Sequence, residues 1–271
     1  MNLQSYFNRI AFKGNARPDL ATLGALHQSH QLAVPFENLD VQLGRKLDIG
    51  VDAAYQKIVD RGRGGWCYEM NGVFGWALRQ IGFDVIRVSA GVMRERLGDI
   101  QLGNHLCLLV RLDRQYLVDV GFGGTLLHPL PLEAVQRTDR PYRVELRDSD
   151  DRYWRFIEAA GGEPFSFDFL AEAADERLLA EKCAFLNYAS TSPFVQNLVV
   201  QRRTLETHVS LRGRVLTTIH SDRQERMLLT SAAQLVTVLH DIFGLDIPEA
   251  VTLWPAICAR HDALFPVAAN H

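Results

Sequence analysis

The sequence contains few cysteines and no closely spaced pair of them. Only four occur among its 271 residues, far apart and without a C-x-x-C motif: Cys67, Cys107, Cys183 and Cys258. In a chain of this length, such spacing argues against a disulfide framework and indicates reduced thiols. We therefore expect a cytoplasmic protein.

Long apolar runs are also missing. No stretch approaches the roughly 18–20 residues that a membrane-spanning helix needs. The first residues, MNLQSYFNR, lack the basic start and the apolar run of a signal peptide. Internal repeats and low-complexity linkers are absent as well. We expect a protein with no membrane association.

Charge of one sign is not in excess. The 29 basic and 32 acidic residues give a net charge of -3, which supplies no general field to attract nucleic acid or an anionic membrane. Any anionic ligand therefore needs a local site. Hydrophobic residues make up 47% of the chain and charged residues 23%, as in soluble globular proteins. The length favours two or three subdomains.

Hydrophobic periodicity predicts an α+β fold in three parts. Residues 1–85 read as helices: one is capped by Asp19, one runs from Asp52 to Val59 and ends in a glycine loop, and one is closed by Gly82. Residues 86–190 predict a mostly antiparallel, barrel-like sheet, and residues 191–271 a mixed α/β segment. The predicted strands are Asp84–Ala90, His105–Val110, Gln115–Val120, Tyr142–Leu146, Tyr153–Ile157, Asn197–Arg203 and Val215–His220. Later helices are predicted from Phe169 to Leu186 and from Ser231 to Gly244, with Gln234 completing a capping box.

One cysteine is predicted to lie at the start of a helix. The stretch RGRGGWCYEMN, residues 61–71, is a glycine-rich loop that leads into a helix whose first residues include Cys67. Unpaired N–H groups at a helix N-terminus favour the negatively charged thiolate, and the loop arginines Arg61 and Arg63 would add to this effect. The glycines would also let a substrate carbonyl approach backbone N–H donors. The alternative is that Cys67 is an inert, buried small residue and the loop only a connection.

A thiolate nucleophile needs a histidine base that a third group orients. His105 opens a predicted strand, and Asp119 lies inside the next one, where a carboxylate must be paired. A three-residue turn at Leu112–Arg114 would make His105 and Asp119 diagonal neighbours on one face, whereas a two-residue turn without a bulge would separate them. The alternatives are a structural ion pair for Asp119 and a strand-end surface position for His105.

Asn71 lies one helical turn after Cys67, on the same face. It is a candidate to support the nucleophile, base and orienter through a hydrogen bond, as is Arg63 from the loop. For Asn71, an equally good interpretation is that its amide satisfies a nearby backbone group.

These residues resemble the arylamine N-acetyltransferases. The resemblance lies in RGGWCYEMN (63–71), His105 and VDVGFG (118–123), and extends to VPFENL (34–39), TSPF (191–194) and NLVV (197–200). It implies a helical bundle over residues 1–85 that carries the nucleophile, a β-barrel-like domain over 86–190 that carries the histidine and aspartate, and an α/β lid over 191–271, with a cysteine-proteinase-like core. It also implies a Cys67–His105–Asp119 catalytic triad.

The resemblance implies a double-displacement reaction. Acetyl-coenzyme A would acetylate Cys67, and an arylamine, arylhydrazine or arylhydroxylamine would then take the acetyl group, as in xenobiotic metabolism. By position, the resemblance suggests Phe36, Val92 and Phe122 as contacts of the aromatic acceptor. Gly123, Gly124 and Thr125 are suggested as contacts of coenzyme A, although the glycines alone also fit a simple turn. No metal is implied.

Other functions stay open at this point. An amide synthase or another acyltransferase would use the same triad, and papain- or transglutaminase-like enzymes share its order but not the Arg-Gly-Gly-x-Cys context. A zinc site at His105 and Cys107 matches the usual ligand spacing poorly. A non-catalytic binding module would leave Cys67 no more reactive than an ordinary thiol.

Overall fold

The computed structural model describes residues 1–45, 48, 50–149, 151–160 and 162–266. Within them, the helices lie mainly at the two ends of the chain. They are α1 (Leu3–Arg9), α2 (Leu20–Ala33), α3 (Leu39–Gln42), α4 (Val51–Tyr55), α5 (Cys67–Ile81), α6 (Arg94–Leu97), α7 (Glu176–Tyr188), α8 (Pro193–Gln196), α9 (Ala232–Asp241) and α10 (Trp254–Leu264). A π-helical turn, Gln56–Asp60, extends α4, and short 3-10 turns span Asp99–Gln101 and Pro248–Leu253.

The strands form two antiparallel sheets. They are β1 (Phe36–Glu37), β2 (Asp84–Val92), β3 (Leu102–Arg111), β4 (Gln115–Val118), β5 (Leu130–Pro131), β6 (Val135–Asp139), β7 (Tyr142–Asp148), β8 (Trp154–Ala159), β9 (Phe165–Phe169), β10 (Val199–Arg203), β11 (His208–Arg212), β12 (Val215–Ile219) and β13 (Gln224–Leu228). The larger sheet has the order β5-β4-β3-β2-β9-β8-β7-β6, and the smaller one β1-β10-β11-β12-β13. The two edge strands of the larger sheet, β5 and β6, follow each other directly in the chain. The two edges of the sheet must therefore lie close together, so the sheet forms a nearly closed barrel. The predicted α+β class with a barrel-like antiparallel sheet is confirmed.

Three hydrophobic cores hold the fold together. The first joins α1, α2 and α5 to one face of β3 and β4, and also includes α7 through Leu179, Cys183 and Leu186. The second lies between the smaller sheet, α9 and α10. The third fills the barrel with residues such as Cys107, Phe156 and Phe167. The division at residues 85 and 190 stays a prediction, and α7 contributes to the first core although it comes before residue 190.

Local sequence signals account for the main helices. Asp19 caps α2 by accepting a 2.8 Å hydrogen bond from Thr22 N, and Gly82 ends α5 with φ 104°. Ser231 caps α9, since its hydroxyl accepts from Gln234 N at 3.1 Å. These three predicted helices are confirmed, but the Gln234 side chain bonds to Thr230 N and not to the cap residue itself.

Two secondary-structure predictions are wrong in part. The predicted helix does not begin at Phe169, because that residue ends strand β9 (Phe165–Phe169), where phenylalanines alternate with polar residues in a strand pattern. The helix begins only at Glu176, where the Asp175 carboxylate caps it. In addition, β1 joins the smaller sheet by pairing with β10, so the first 85 residues are not wholly helical. Among the described residues, no helix has both the length and the apolar character that crossing a bilayer requires.

A buried cluster of charges lies under the loop that precedes α5. The Lys57 ammonium lies 2.9 Å from Asp40 and 2.8 Å from Glu69, while the Arg63 guanidinium lies 2.7 Å from Glu37 and 3.1 Å from Asp40. Burial lowers the pKa of Lys57, but the three carboxylates outweigh it and raise that pKa above its ordinary value. Each charge is therefore held by opposite charges in a site that water barely reaches.

We expect Lys57→Met to destabilise the protein by roughly 3–5 kcal/mol, because it leaves buried carboxylates without their ammonium partner. Urea unfolding at neutral pH measures the loss. The control is Arg177→Met, which breaks the exposed 2.9 Å pair of Arg177 and Glu181 on α7; its effect should stay below about 0.5 kcal/mol. Equal effects of the two substitutions would contradict the stabilising role of the cluster.

Candidate active site

Cys67 is the first residue of α5, and the glycine-rich loop brings it there as the sequence predicts. The residue is only 4% exposed. The start of α5 is held by Glu69, whose carboxylate accepts from Trp66 N at 3.2 Å while it pairs with Lys57. The thiol therefore lies at the positive end of a helix dipole whose first turn is anchored to the buried charges.

The glycines before Cys67 serve packing. A Cβ on Gly64 would lie 2.2 Å from the carbonyl oxygen of Pro35. Gly65 N donates to the same oxygen at 3.3 Å, and Gly65 O accepts from Glu37 N at 2.9 Å. Both backbone groups of Gly65 are therefore bonded to the segment Pro35–Glu37, and the approach of a substrate carbonyl to this loop stays a prediction.

The hairpin of β3 and β4 has the three-residue turn that the sequence argument requires. Arg111 pairs with Gln115, so the turn is Leu112–Arg114, and Leu112 N donates to Arg114 O at 2.8 Å. His105 and Asp119 consequently face the same side, and His105 Nε2 lies 2.7 Å from Asp119 Oδ2. The predicted diagonal placement of His105 and Asp119 is confirmed, but the predicted strand is too long: β4 ends at Val118, and Asp119 lies just past it.

His105 lies between Asp119 and Cys67. Burial would lower the pKa of His105, but the adjacent Asp119 carboxylate and hydrogen bonds to Asp119 and Cys67 raise it to about 10. Because Asp119 binds Nε2, Nδ1 is the ring nitrogen left for the Cys67 sulfur. The protonated imidazole at neutral pH therefore gives this site a positive charge next to the buried Asp119 carboxylate.

Cys107 and Cys183 have different surroundings from Cys67. Burial raises the pKa of the Cys107 thiol, and it also raises that of Cys183. Both thiols stay protonated at neutral pH and pack as small apolar side chains. Within the described ranges, no group of three or more His, Cys, Asp or Glu side chains is arranged to hold a metal ion.

Asn71 ties α5 to both strands of the hairpin. Its Nδ2 donates to Asp119 Oδ1 at 2.8 Å and to Leu106 O at 2.7 Å, and its Oδ1 accepts from Val120 N at 3.0 Å. The amide thus bonds both to the predicted orienter and to the backbone, so the two interpretations of Asn71 hold together. Tyr68 adds a bond from its hydroxyl to Gly103 O at 2.7 Å, at the start of β3.

The guanidinium of Arg63 is bonded to carboxylates and not to the Cys67 thiol. Its guanidinium is bonded to Glu37 and Asp40 in the buried cluster, while Arg61 is exposed. The expectation that Arg63 adds a positive charge beside Cys67 is corrected accordingly. Arg63 instead holds the loop through its carboxylate partners.

The three residues suggested for the aromatic acceptor lie in two places. The Phe122 ring packs 5.2 Å from the His105 ring and stacks on Phe165 at 5.3 Å. Val92 ends β2 and packs against the same barrel core. Phe36 belongs to the first core, with its ring 6.1 Å from that of Phe194.

The glycines suggested for coenzyme A have a clear conformational role. Gly123 and Gly124 have φ of 81° and 96°, and a Cβ on Gly123 would meet Gln201 Oε1 at 2.2 Å. Gly123 O accepts from His208 Nε2 at 2.7 Å, and Thr125 is buried. Turn geometry and packing explain this stretch, so its assignment to coenzyme A stays a prediction.

Gly121 is needed for a reason that the sequence argument missed. A Cβ there would lie 2.6 Å from Cys67 Cα and 2.7 Å from Asn71 Nδ2. Gly121 N also donates to Asp119 Oδ1 at 2.8 Å. The absence of a side chain at Gly121 allows the segment after Asp119 to lie directly against Cys67.

Two further residues beside Asp119 were missed as well. His27 and Gln31 of α2 are buried and bond to its backbone. The sequence contains an indication of this, because His27 and Gln31 share the face of α2 with the predicted core residues Leu23 and Leu26. A polar residue on an apolar helix face needs a partner inside the protein.

Comparisons with known proteins agree with this architecture. A profile of the N-acetyltransferase family matches residues 19–252. An arylamine N-acetyltransferase of Mycolicibacterium smegmatis is 38% identical over 259 residues, covering 92% of this chain and 94% of that protein.

Solved structures give the same result. A solved structure of the M. smegmatis arylamine N-acetyltransferase superposes with a TM-score of 0.86 at 34% identity, covering 96% of this chain and 98% of that one. A Mycobacterium marinum arylamine N-acetyltransferase in complex with CoA gives 0.85 at 31% identity, covering 97% and 99%.

We expect Gly121→Ala to slow alkylation of Cys67 by iodoacetamide and to destabilise the fold by about 1–3 kcal/mol, because the new methyl group overlaps Cys67 and Asn71. Alkylation kinetics and urea unfolding measure the two effects. The control is Gly24→Ala on α2, where an added Cβ meets nothing within 4 Å, and stability should rise slightly. Unchanged alkylation in the Gly121 variant would refute the close approach.

Glu158 of β8 gives a pH prediction. Burial, helped by the Asp119 carboxylate, raises its pKa from 4.5 to about 8. The native carboxyl keeps its proton between about pH 4.5 and 8 while the unfolded chain loses it, so this group destabilises the native state increasingly as pH rises through that window. Between pH 5 and pH 9, the free energy of unfolding of Glu158→Gln should therefore increase by on the order of 3 kcal/mol relative to that of the unsubstituted protein. Urea unfolding across pH tests this, and a pH-independent difference would contradict it.

Proposed function

The chain belongs to the arylamine N-acetyltransferase family, and we propose that it transfers an acetyl group from acetyl-coenzyme A to an aromatic amine or hydrazine through an acetyl-cysteine at Cys67. The observation that carries the proposal is the arrangement of one thiol, one imidazole and one carboxylate. His105 Nε2 lies 2.7 Å from Asp119 Oδ2, and both Asp119 and Cys67 contribute to raising the pKa of His105.

The first half-reaction acetylates the enzyme. The Cys67 thiolate attacks the carbonyl carbon of acetyl-coenzyme A, the carbon–sulfur bond to coenzyme A breaks, and the His105 imidazolium gives its proton to the departing sulfur. A nucleophile that is already ionised needs no separate proton transfer before attack. Asp119 holds the imidazole in the orientation that both proton transfers need.

The second half-reaction removes the acetyl group from the enzyme. The nitrogen of the amine attacks the acetyl-cysteine, the neutral His105 imidazole takes the proton of that nitrogen, and the Cys67 thiolate leaves beside the re-formed imidazolium. Phe122, with Val92 and Phe36, is proposed to contact the aromatic acceptor. The position of the Phe122 ring against His105 supports its part in this, since an acceptor ring stacked there would bring its amine near the base.

Other parts of the proposal rest on the family. Arylhydroxylamines would undergo O-acetylation by the same steps, and the Gly123–Thr125 stretch is proposed to contact coenzyme A. We also propose a cytoplasmic location, a role in xenobiotic metabolism, a reaction without a metal ion, and the three-part division of the chain at residues 85 and 190.

The proposal predicts that acetyl-coenzyme A alone adds one acetyl group to the protein and that peptide mapping places it on Cys67. Adding an arylamine should remove the group and give the N-acetylated amine. Asp119→Asn should slow acetylation on the order of 10³- to 10⁴-fold, because His105 loses its oriented partner. Cys258→Ser, which changes the half-buried thiol of α10, is the control and should react normally.

Two outcomes would count against the proposal. No acetyl group on Cys67 would reject acetyl-coenzyme A as the donor. An acetylated Cys67 that arylamines and arylhydrazines leave intact would favour the alternative, an amide synthase or another acyltransferase with the same triad.

A further inference from the structure

Asp119 receives its backbone hydrogen bonds from side chains of α2. Asp119 N donates to His27 Nε2 at 3.2 Å, and Asp119 O accepts from Gln31 Nε2 at 2.9 Å. His27 is 0% exposed and Gln31 2% exposed. The two side chains lie one helical turn apart, so a single turn of α2 binds both polar groups of this peptide backbone.

These side chains replace a missing strand partner. The ladder of β3 and β4 ends where Leu108 pairs with Val118, so Asp119 lies just past the last paired residue. A buried N–H and C=O without ladder partners must bond elsewhere. His27 and Gln31 provide those bonds at the position where the carboxylate must be aimed.

The hydrogen bonds of His27 define its tautomer. Its Nδ1 lies 3.0 Å from the carbonyl oxygen of Leu127, which can only accept, so Nδ1 carries the proton. Nε2 is then free to accept from Asp119 N. Burial lowers the pKa of His27 to about 4, which keeps the ring neutral at neutral pH and preserves this accepting nitrogen.

The same helical turn also holds the far end of the segment after Asp119. Gln31 Nε2 donates to Leu126 O at 3.0 Å as well as to Asp119 O, and His27 bonds to Leu127 O. The segment from Asp119 to Leu127 carries Phe122 and the positive-φ glycines. Both of its ends are therefore fixed to α2.

We propose that His27 and Gln31 are positioning residues of the acyl-transfer site, which fix the backbone of Asp119 so that its carboxylate meets His105. This inference rests on the proposed roles of Cys67, His105 and Asp119. Neither residue touches the reacting atoms. Their effect passes through Asp119 to the imidazole and then to the thiol.

The test compares His27→Leu and Gln31→Met, which remove the hydrogen bonds, with His27→Gln, which keeps an accepting atom on the side chain. The matched control is Tyr6→Phe, which breaks the buried 2.9 Å bond between Tyr6 and His30 of the same helix without touching Asp119. The readout is the rate of Cys67 alkylation by iodoacetamide as a function of pH, measured well below the unfolding temperature of each variant.

We expect His27→Leu and Gln31→Met to slow alkylation at neutral pH by about tenfold, a typical effect of leaving a buried group unpaired. Their pH profiles should move toward that of a free thiol, whereas Tyr6→Phe keeps the unsubstituted profile and His27→Gln recovers most of the rate. Adding His27→Leu to Asp119→Asn should change the rate little, because the two residues act through one path.

Unchanged rates and profiles in His27→Leu and Gln31→Met would overturn the inference, as would equal changes in Tyr6→Phe. If His27→Leu does not fold, Gln31→Met decides the question, since it keeps the ring packing of α2. Alkylation needs no acetyl donor. A failure of acetyl transfer would therefore reject the proposed function without affecting this test.

Discussion

The burial of the Asp119 carboxylate is the constraint on which the site depends. A carboxylate at 1% exposure is stable as an ion only if its oxygens are bonded and a positive partner is near. All the hydrogen-bonding groups of Asp119 have partners: His105, Asn71 and Gly121 N on the carboxylate, His27 on the N–H and Gln31 on the C=O. α2, α5 and the β3–β4 hairpin must all be in place for this set to form. The requirement to satisfy one charge thus fixes three elements relative to one another.

A second set of buried charges orders the other side of the site. The cluster of Lys57, Arg63 and their carboxylate partners connects the α4 segment and β1 to the first turn of α5. Glu69 belongs both to the charge cluster and to the first turn of α5, since it pairs with Lys57 and accepts from Trp66 N just before Cys67. Cys67 and His105 are therefore held by separate polar networks, which meet at the contact between Gly121 and Cys67.

Much of the site could be predicted from local sequence patterns. Cys67 at a helix start, the diagonal placement of His105 and Asp119, and the helices capped by Asp19 and Ser231 all follow from periodicity and turn length. The partners of Arg63 and the role of Gly64 could not be predicted, because each depends on a segment distant in sequence. The position of His27 and Gln31 on the apolar face of α2 indicates that they have buried partners, but it does not identify Asp119 as that partner. The Phe169 error has a different, local origin, since the alternation of residues 165–169 and the cap at Asp175 are visible in the sequence and place the helix start at Glu176.

The hydrogen bond between His27 and Leu127 spans 100 positions in sequence. During synthesis, Cys67 leaves the ribosome well before His105, Asp119 or Leu127 is available to complete its surroundings. The nascent Cys67 then lacks the strands that carry His105 and Asp119. The surroundings of this thiol are therefore complete only in the nearly finished chain, so any reactivity that depends on them arises late in synthesis.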